Sequence, residues 1–494
     1  MYGNLEEKEE LLLGDEASTL SRMRESVERE VKLVPGEGFQ LPALGRPQPR
    51  RDFVSTYLDT SDLRLARHGV TLRHRVEDGA GVWQLKIPQG DARAELEEPG
   101  PPARPPSRLL DLLAAYVRGD ELVRVARLRT RREVQRADGA EIVDDSVAVL
   151  DGQRVTARFR ELEVELLEGD DQVLRRLESA LREAGAVAGD FTPKLYRALD
   201  LAYPPLATTE LPESASALDV LRSSLAEQYA RLLAHDPGTR LGTDPEHVHQ
   251  MRVATRRARA FLRAAAPLLD ERWTRELRDE LGWLGSELGP ARDLDVLLEH
   301  VQEDVASLGA EGKPLAPLVE SLAKEREKAR SAAVVALSDP RYFALLDRLE
   351  GVDPIATDDI DEDETLAELW WRQFKRTRKA FRTLDSDSRN EELHRARILV
   401  KRGRYAAELA DRELGKRGER FVDAAKHLQD VLGEHQDAVV AEEYVNAWVE
   451  RTRAAGAHAV ALLLEREEER RRRARKDWPG AWKTLEKRAE RARK

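Results

Sequence analysis

Two hydrophobic rhythms divide the chain. Between residue 25 and about residue 200, apolar and polar side chains alternate in short runs; from residue 215 onward the apolar positions recur at helical spacing. The runs VEREVKL (27–33), GVTLRHRVE (69–77), VWQLKIP (82–88), ARAELEE (92–98), VARLRTRREVQ (125–135), AEIVDDSVAVL (140–150) and RFRELEVELL (158–167) read as strands, since successive side chains of a strand face opposite ways. Turn signals at Glu77-Asp78-Gly79 and Ala137-Asp138-Gly139 separate several of them. The loop PGPPARPPS (99–107) precedes a helix near 108–117, and DQVLRRLESALREAGA (171–186) reads as another. LAYPPLATTELPES (201–214) has the composition of a linker, and the acidic stretch GVDPIATDDIDEDET (351–365) divides the helical half.

The helical half contains a repeat. His249, Arg252, Arg256, Arg257 and Arg259 match His394, Arg397, Lys401, Arg402 and Arg404 at an offset of 145, and LGPARDLD (288–295) matches LGEHQDAV (432–439) at 144. Units of this length exceed a solenoid repeat and indicate a duplicated helical bundle.

Composition narrows the chemistry. A chain of 494 residues favours two or three domains, and its net charge of −11 means that any basic site is local. The absence of cysteine excludes disulfides and thiolate metal sites and fits a reducing compartment. No apolar run is long enough to span a membrane, and the acidic stretch MYGNLEEKEELLLGDEAS lacks the apolar region of a secretory signal; residues 1–24 read as a mobile tail in a cytoplasmic protein.

The strands carry charge in rows. Glu28, Glu30 and Lys32 share one face; so do Arg73 and Arg75, Gln84 and Lys86, Arg93 with Glu95 and Glu97, Arg127 with Arg129 and Arg131, and Glu161 with Glu163 and Glu165. An antiparallel sheet with one wet face gives such alternation by itself. A wet face, however, mixes charges with small polar residues, whereas several of these strands carry a single sign. Closing the sheet would turn the rows inward, where cations require an anionic partner and facing glutamates require a cation between them. Carboxylates are hard oxygen ligands suited to Mg²⁺ or Mn²⁺, and arginines grip phosphate oxygens in pairs. That combination is the equipment of phosphoryl transfer.

At these residues the chain resembles the CYTH domains, the triphosphate tunnel metalloenzymes. Glu28-x-Glu30-x-Lys32 is similar to their ExExK motif, and YLDT at 57, LRHR at 72, LKIP at 85, the arginine-rich strand at 127, ELEVEL at 161 and Lys194 in FTPKLYRAL follow in order. The resemblance implies an eight-stranded antiparallel tunnel that hydrolyses inorganic or organic triphosphates, some members making cyclic AMP. It assigns catalysis to Glu28, Glu30, Lys32, Glu163 and Glu165. It assigns the metal to Glu28, Glu30, Glu163 and Glu165, with Asp145 and Glu161 as weaker candidates. Phosphates fall to Arg73, Arg75, Lys86, Arg129, Arg131 and Lys194, with Glu95 as an added polar contact.

In the helical half, His249, Arg252, Arg256, Arg259 and Arg263 fall within about a quarter turn, opposite Met251, Ala254, Ala258, Phe261 and Leu262. No acid interrupts residues 247–269, where a solvated helix would place i±4 partners. His394, Arg397, Lys401 and Arg404 repeat the stripe, and Arg372, Lys375, Lys379 and Arg382 form a third. Aromatic residues are not interleaved along the stripes, which favours an extended anion without bases. VHQMRVATRRARAFLR is similar to the first motif of CHAD domains, and that resemblance covers about residues 215–490. It implies two pseudo-symmetric four-helix bundles that bind inorganic polyphosphate on a basic surface formed by His249, Arg252, Arg256, Arg257, Arg259, Arg263, Lys375, Lys379, His394, Arg397, Lys401 and Arg404. Lys401 and Gln436 stand where the first repeat has Arg256 and Arg292, so the second half is expected to grip the anion more weakly. Asp293 and Asp437 are expected to orient arginines.

The sequence therefore predicts an α+β multidomain chain: a tail (1–24), an antiparallel β-tunnel (25–203), a linker (204–214) and an all-α domain (215–490) with repeats at about 215–350 and 366–490. The expected function is Mg²⁺- or Mn²⁺-dependent hydrolysis of inorganic triphosphate or short polyphosphate, with polyphosphate binding by the helices, in the cytoplasm or on polyphosphate granules. Neither a membrane nor nucleic acid is an expected partner. The alternatives are a non-catalytic polyphosphate-binding protein and a nucleotide enzyme, either a cyclase or a nucleoside triphosphatase.

Overall fold

The structure is a computed structural model that describes residues 24–89, 92–189, 192–203, 211–357, 364–385, 387–452 and 456–494, and for residues 24–28, 89, 92 and 93 only the backbone. Residues 1–23 of the predicted tail, 204–210 of the predicted linker and 358–363 of the acidic stretch lie outside the described residues. The chain divides into two compact units, Met1–Ala207 and Thr208–Lys494.

The first unit is built from β1 (Arg24–Glu28), β2 (Glu30–Pro35), β3 (Arg46–Pro47), β4 (Arg51–Asp59), β5 (Thr71–Glu77), β6 (Ala80–Gln89), β7 (Ala92–Pro99), β8 (Val123–Ala137), β9 (Ala140–Asp151), β10 (Arg154–Leu166) and β11 (Ala186–Ala188). Its helices are α1 (Arg64–Arg67), α2 (Ser107–Leu112), α3 (Ala114–Val117), α4 (Asp171–Glu183) and α5 (Lys194–Leu199). All strand pairs are antiparallel, in the order β1-β7-β6-β5-β4-β8-β9-β10-β2-β11, with β3 beside β8. The closed eight-stranded barrel predicted from the sequence is thus an open eleven-stranded sheet, ten strands along the path and β3 beside it. The difference arises at Arg29. The first long run is split there: β1 pairs with β7 at one end of the path, while β2 pairs with β10 near the other. Arg29 leaves the ladder, its side chain bonded to Asp171 and its carbonyl accepting from Leu166 N at 2.9 Å.

Alternation decides which face is dry. On β2, β9 and β10 the residues Leu33, Ile142, Leu162 and Val164 are buried beneath Leu174, Leu177 and Leu181 of α4, whose apolar residues at i, i+3 and i+7 suit it to cover a sheet. On β5 and β6, Leu72, Trp83 and Leu85 are buried on the same outer side. The charged positions between them therefore turn inward. Tyr57, Leu128, Val147 and Val149 fill part of the interior against Leu195 and Tyr196 of α5, and the remaining interior is polar.

The second unit is helical: α6 (Ala217–Leu241), α7 (Pro245–Ala264), α8 (Glu271–Glu287), α9 (Gly289–Ser307), α10 (Ala316–Leu337), α11 (Pro340–Leu349), α12 (Leu366–Phe381), α13 (Asn390–Leu409), α14 (Asp411–Thr452) and α15 (Ala457–Ala492). α14 is broken at Gly415, whose φ of 52° and ψ of −147° are open to glycine and not to a helical residue. Asp244 caps α7, accepting from Glu246 N at 2.8 Å, and Pro245 occupies its first turn. The predicted repeats share a core: Leu297, Val301, Leu318 and Leu322 of α9 and α10 pack with Ala441, Val445, Trp448 and Leu463 of α14 and α15. α7 also packs against α13, which brings the two basic helices side by side.

Candidate active site and basic helical groove

Inside the sheet lies a cavity of about 210 Å³. Its cations come from five strands and one helix: Lys32 on β2, Arg51 on β4, Arg73 and Arg75 on β5, Lys86 on β6, Arg132 on β8 and Lys194 on α5. Its carboxylates are Glu30, Glu95, Glu97, Glu141, Glu163 and Glu165. Lys32, Lys86, Glu95, Glu141, Glu163 and Glu165 are there because their strand neighbours are apolar and face outward.

The floor is a buried ion network. Lys194 Nζ lies 2.9 Å from Glu163, 3.1 Å from Glu161 and 3.1 Å from Asp145. Lys32 Nζ lies 3.0 Å from Glu163 and 3.3 Å from Glu30. Arg132 grips Asp145 with two hydrogen bonds of 2.8 and 2.7 Å and reaches Glu163 at 3.4 Å. Burial opposes ionisation of Glu163, yet Lys194 and then Lys32 hold its carboxyl well below the usual range. Burial also opposes the Lys32 and Lys194 ammonium groups, and Glu163 foremost among the carboxylates holds both above the ordinary lysine value. Glu161 goes the other way: with no exposed surface, it is pushed up by burial more than Lys194 can offset.

Above the floor the cations are paired more loosely: Lys86 lies 3.6 Å from Glu95 and Arg75 lies 4.0 Å from Glu97. Arg73 donates to Gln84 Oε1 at 2.7 Å and to the Tyr57 hydroxyl at 3.1 Å. Arg75 is held below the ordinary guanidinium value, first by burial and then by Arg73 beside it. On the facing wall Glu30, Glu165 and Glu141 are register partners across β2, β10 and β9, and all three line the cavity. Like charges opposed across strands repel unless a cation lies between them. Lys32 lies 3.3 Å from Glu30 and Arg136 donates to Glu141 at 2.7 Å; the donor set fits a hard divalent cation that displaces these partners, with Glu30, Glu165 and Glu141 able to hold it and Glu163 behind them.

The second unit gathers cations from α7, α8, α9, α12 and α13. Arg256 of α7 lies within electrostatic reach of Arg397 and Lys401 of α13, and Arg263 within reach of Arg402, Arg278, Arg259 and Arg376. Burial, then these neighbours, lowers Lys401 to about 7 and Arg263 to about 10; Arg252, Arg397, Arg402 and His249 are lowered in the same way. The Nε atoms of Arg252, Arg256, Arg259, Arg278 and Arg397, and Nδ1 of His249, are buried without a hydrogen-bond partner. Buried donors left open in this way imply a missing acceptor. Glycine makes the approach possible: Gly289 lies beneath Arg252 and Gly433 beneath Arg397.

A family model described as CYTH domain matches residues 27–196, and one described as CHAD domain matches residues 223–446. The chain is a CYTH domain followed by a CHAD domain. Uncharacterized proteins of two Mycobacterium tuberculosis strains are each 29% identical over 494 residues, covering 92% of this chain and 94% of the relative. Among solved structures, PptA from Streptomyces chartreusis is similar over 55% of this chain and 100% of its own, at 22% identity and a TM-score of 0.46. The CHAD domain from the plant Ricinus communis is similar over 58% and 97%, at 26% identity and a TM-score of 0.46.

Several predicted site residues stand elsewhere. Arg129 and Arg131 are exposed on the outer face of β8, and Arg132 enters the CYTH cavity in their place. The reason is period: Ala126, Leu128, Thr130 and Arg132 form the inward row, one residue out of step with the arginines. Asp145 does not line the cavity, because Arg132 and Lys194 occupy its carboxylate. Lys194 lines it, but its three N–H groups face three carboxylates. Glu30, Lys32, Arg73, Arg75, Lys86, Glu95, Glu163 and Glu165 line the cavity, and the side chain of Glu28 lies outside the described residues. In the CHAD domain, Arg257 pairs with Glu408 at 3.1 Å, which ties α7 to α13, and Arg404 pairs with the same Glu408 within α13 at 3.4 Å. Lys375 and Lys379 are exposed on α12, and it is Arg376 that reaches the cluster. His394 is exposed, its Nδ1 2.8 Å from Gln436 Oε1, whereas His249 sits beside Arg292.

The sequence reading missed Arg51, Glu97, Arg132 and Glu141 in the cavity and Arg278, Arg376 and Arg402 in the groove. Alternation along β7 already pairs Glu97 with Glu95, and the internal repeat pairs Arg402 with Arg257, so those two were recoverable. Among the described residues, His300, Asp304 and Glu467 of the CHAD domain bring three possible metal donors together. Arg470 joins them, donating to Asp304 and at 3.2 Å to Glu467, so the group already has its cation.

Proposed function

We propose that the CYTH domain hydrolyses inorganic triphosphate or short polyphosphate with Mg²⁺ or Mn²⁺, and that the CHAD domain binds longer polyphosphate. One observation carries the reading: Arg73, Arg75, Lys86 and Arg132 share a 210 Å³ cavity with the cross-strand row Glu30–Glu165–Glu141. Cations packed this closely suit an anion of high charge density, which would compete with the carboxylates that pair them here, and the carboxylate row suits a cation. In this reading Arg73, Arg75, Lys86 and Arg132 hold phosphate oxygens and neutralise the charge that spreads over them during transfer. Glu30, Glu165 and Glu141 would hold the metal, with Glu163 behind them, and the metal would supply Lewis-acid polarisation and an activated water. Lys32 and Lys194 keep Glu163 ionised and fixed. Water attacks the terminal phosphorus and gives up a proton, the new P–O bond forms as the bridging P–O bond breaks, the shortened chain leaves with the bridging oxygen (pyrophosphate from tripolyphosphate), and the attacked phosphorus departs as orthophosphate.

The lining favours an inorganic substrate over a nucleotide. Its less polar members are Tyr57, Pro193 and Leu195, and the Tyr57 hydroxyl is engaged by Arg73, so no apolar slot for a base is present among them. The open donors of the CHAD groove support the second half of the proposal, since a phosphate chain offers acceptors along its whole length. Orthophosphate release from tripolyphosphate by the full chain, and its loss in Glu165→Gln, tests the catalytic half; turnover that survives in Glu165→Gln and Glu30→Gln would remove the metal assignment.

A further inference from the structure

The row Arg127, Arg129 and Arg131 has no part in the cavity, yet it is not an isolated solvated stripe. On the outer face of the sheet, Arg129, Ala148 and Arg158 are successive register partners across β8, β9 and β10, and Arg131, Ser146 and Arg160 form the next rung. Each rung places two arginines on either side of a small residue. Strands lie about 4.8 Å apart and alternate residues about 7 Å apart along a strand, so two arginine rails run beside a low floor on β9. The resulting trough encloses about 700 Å³. Arg160 is held by Asp144, with Nε–Oδ1 at 2.8 Å, and Arg131 Nε reaches Asp52 at 3.4 Å. Arg127, Arg129 and Arg158 are exposed and make no ion pair among the described residues. Exposed strands usually set opposite charges across from one another; here the strand between the rails carries Ala148 and Ser146 and leaves the space open.

We propose that this trough is a second polyanion site, on the outside of the CYTH domain, which holds a long polyphosphate chain along β9. The rails present guanidinium groups, which match phosphate oxygens in pairs. The one aromatic residue at the trough, Phe159, packs inward against the cluster of Leu195 and Tyr196, so no ring is offered to a base. The site stands whether or not the cavity is catalytic, because consecutive residues serve the two: Arg131 outward, Arg132 inward.

The test uses the full chain with the CHAD groove disabled by Arg252→Glu and Arg397→Glu, and measures affinity for long-chain polyphosphate. Adding Arg129→Glu with Arg158→Glu should lower the remaining affinity by about tenfold or more and flatten its salt dependence. Tripolyphosphate affinity, read by calorimetry, should change by less than about twofold, since the cavity is untouched. Arg104→Glu with Arg175→Glu, an exposed pair of equal charge change, is the control. Retained affinity in the trough variant, or an equal loss in the control, would overturn the site. Tighter binding of single-stranded RNA than of polyphosphate of equal phosphate number would overturn the assignment of its ligand.

Discussion

The guanidinium of Arg252 lies over Gly289 so closely that a methyl group there would sit 2.5 Å from Nη1. The second repeat copies the relationship, with Gly433 beneath Arg397 and a methyl placed 3.0 Å from Nη2. Alanine is the better helix former by about 1 kcal/mol inside a helix, where Gly433 lies, whereas Gly289 is the first residue of α9, so Gly289→Ala should leave the melting temperature near its starting value. The arginine must swing aside, and polyphosphate affinity should fall several-fold. Gly433→Ala should do the same more weakly. Parallel melting and polyphosphate titrations check both; a loss of stability with affinity intact would contradict the account of the groove.

Lys401 makes the groove sensitive to pH. Arg397, Arg256 and Arg404 crowd it, only Asp437 opposes them, and burial leads the effect that brings its pKa to about 7. A bound polyanion favours the charged form and raises that pKa, so binding takes up a proton. Affinity should therefore fall as pH rises from 6 to 8. His249, also lowered by burial and by Arg292, contributes in the same direction at more acid pH. Lys401→Arg, charged throughout, should bind more tightly at pH 8 and show a flatter profile; a wild-type affinity independent of pH in this window contradicts the assignment.

Glu161 and Glu163 share two lysines and titrate in opposite senses. Glu163, held low, contributes stability above the ordinary carboxylate value of 4.5, and that contribution is lost as pH falls below it. Glu161, held high, is destabilising when ionised. At pH 7 Glu163→Gln should therefore cost more than Glu161→Gln, about 3–5 kcal/mol by analogy with broken buried pairs. The gap should narrow in acid. Thermal melts of both variants between pH 4 and 7 read this directly, and equal costs at pH 7 would refute the ordering.

How far the site was legible in the sequence follows from what periodicity can and cannot carry. Glu30, Lys32, Arg73, Arg75, Lys86, Glu163 and Glu165 were legible because apolar neighbours mark the face each occupies. Arg132 was not: β8 has arginine at both 131 and 132, and the exposed row is the longer one. The inward row of β8 contains small and apolar residues until Arg132, so a single-sign rule pointed to the wrong face. Asp145 looked like a ligand because a sequence shows carboxylates without showing which cations already hold them. In the helical half the repeat revealed the pairing of His249 with His394 and of Arg252 with Arg397. It could not show that Glu408 takes up Arg257, since that contact joins helices about 150 positions apart, although Arg404 four residues before Glu408 is an i,i+4 pair that the sequence does contain.

The most direct measurement of the central claim is orthophosphate release by the full chain from tripolyphosphate, ATP, pyrophosphate and long polyphosphate, with and without Mg²⁺ or Mn²⁺. Tripolyphosphate should be cleaved fastest, chelation should stop the reaction, and Arg73→Ala with Arg75→Ala should raise KM or abolish turnover. Preferential cleavage of ATP, or no metal-dependent release from any inorganic chain, would contradict the claim that the charged rows of this cavity converge on a chain of phosphates.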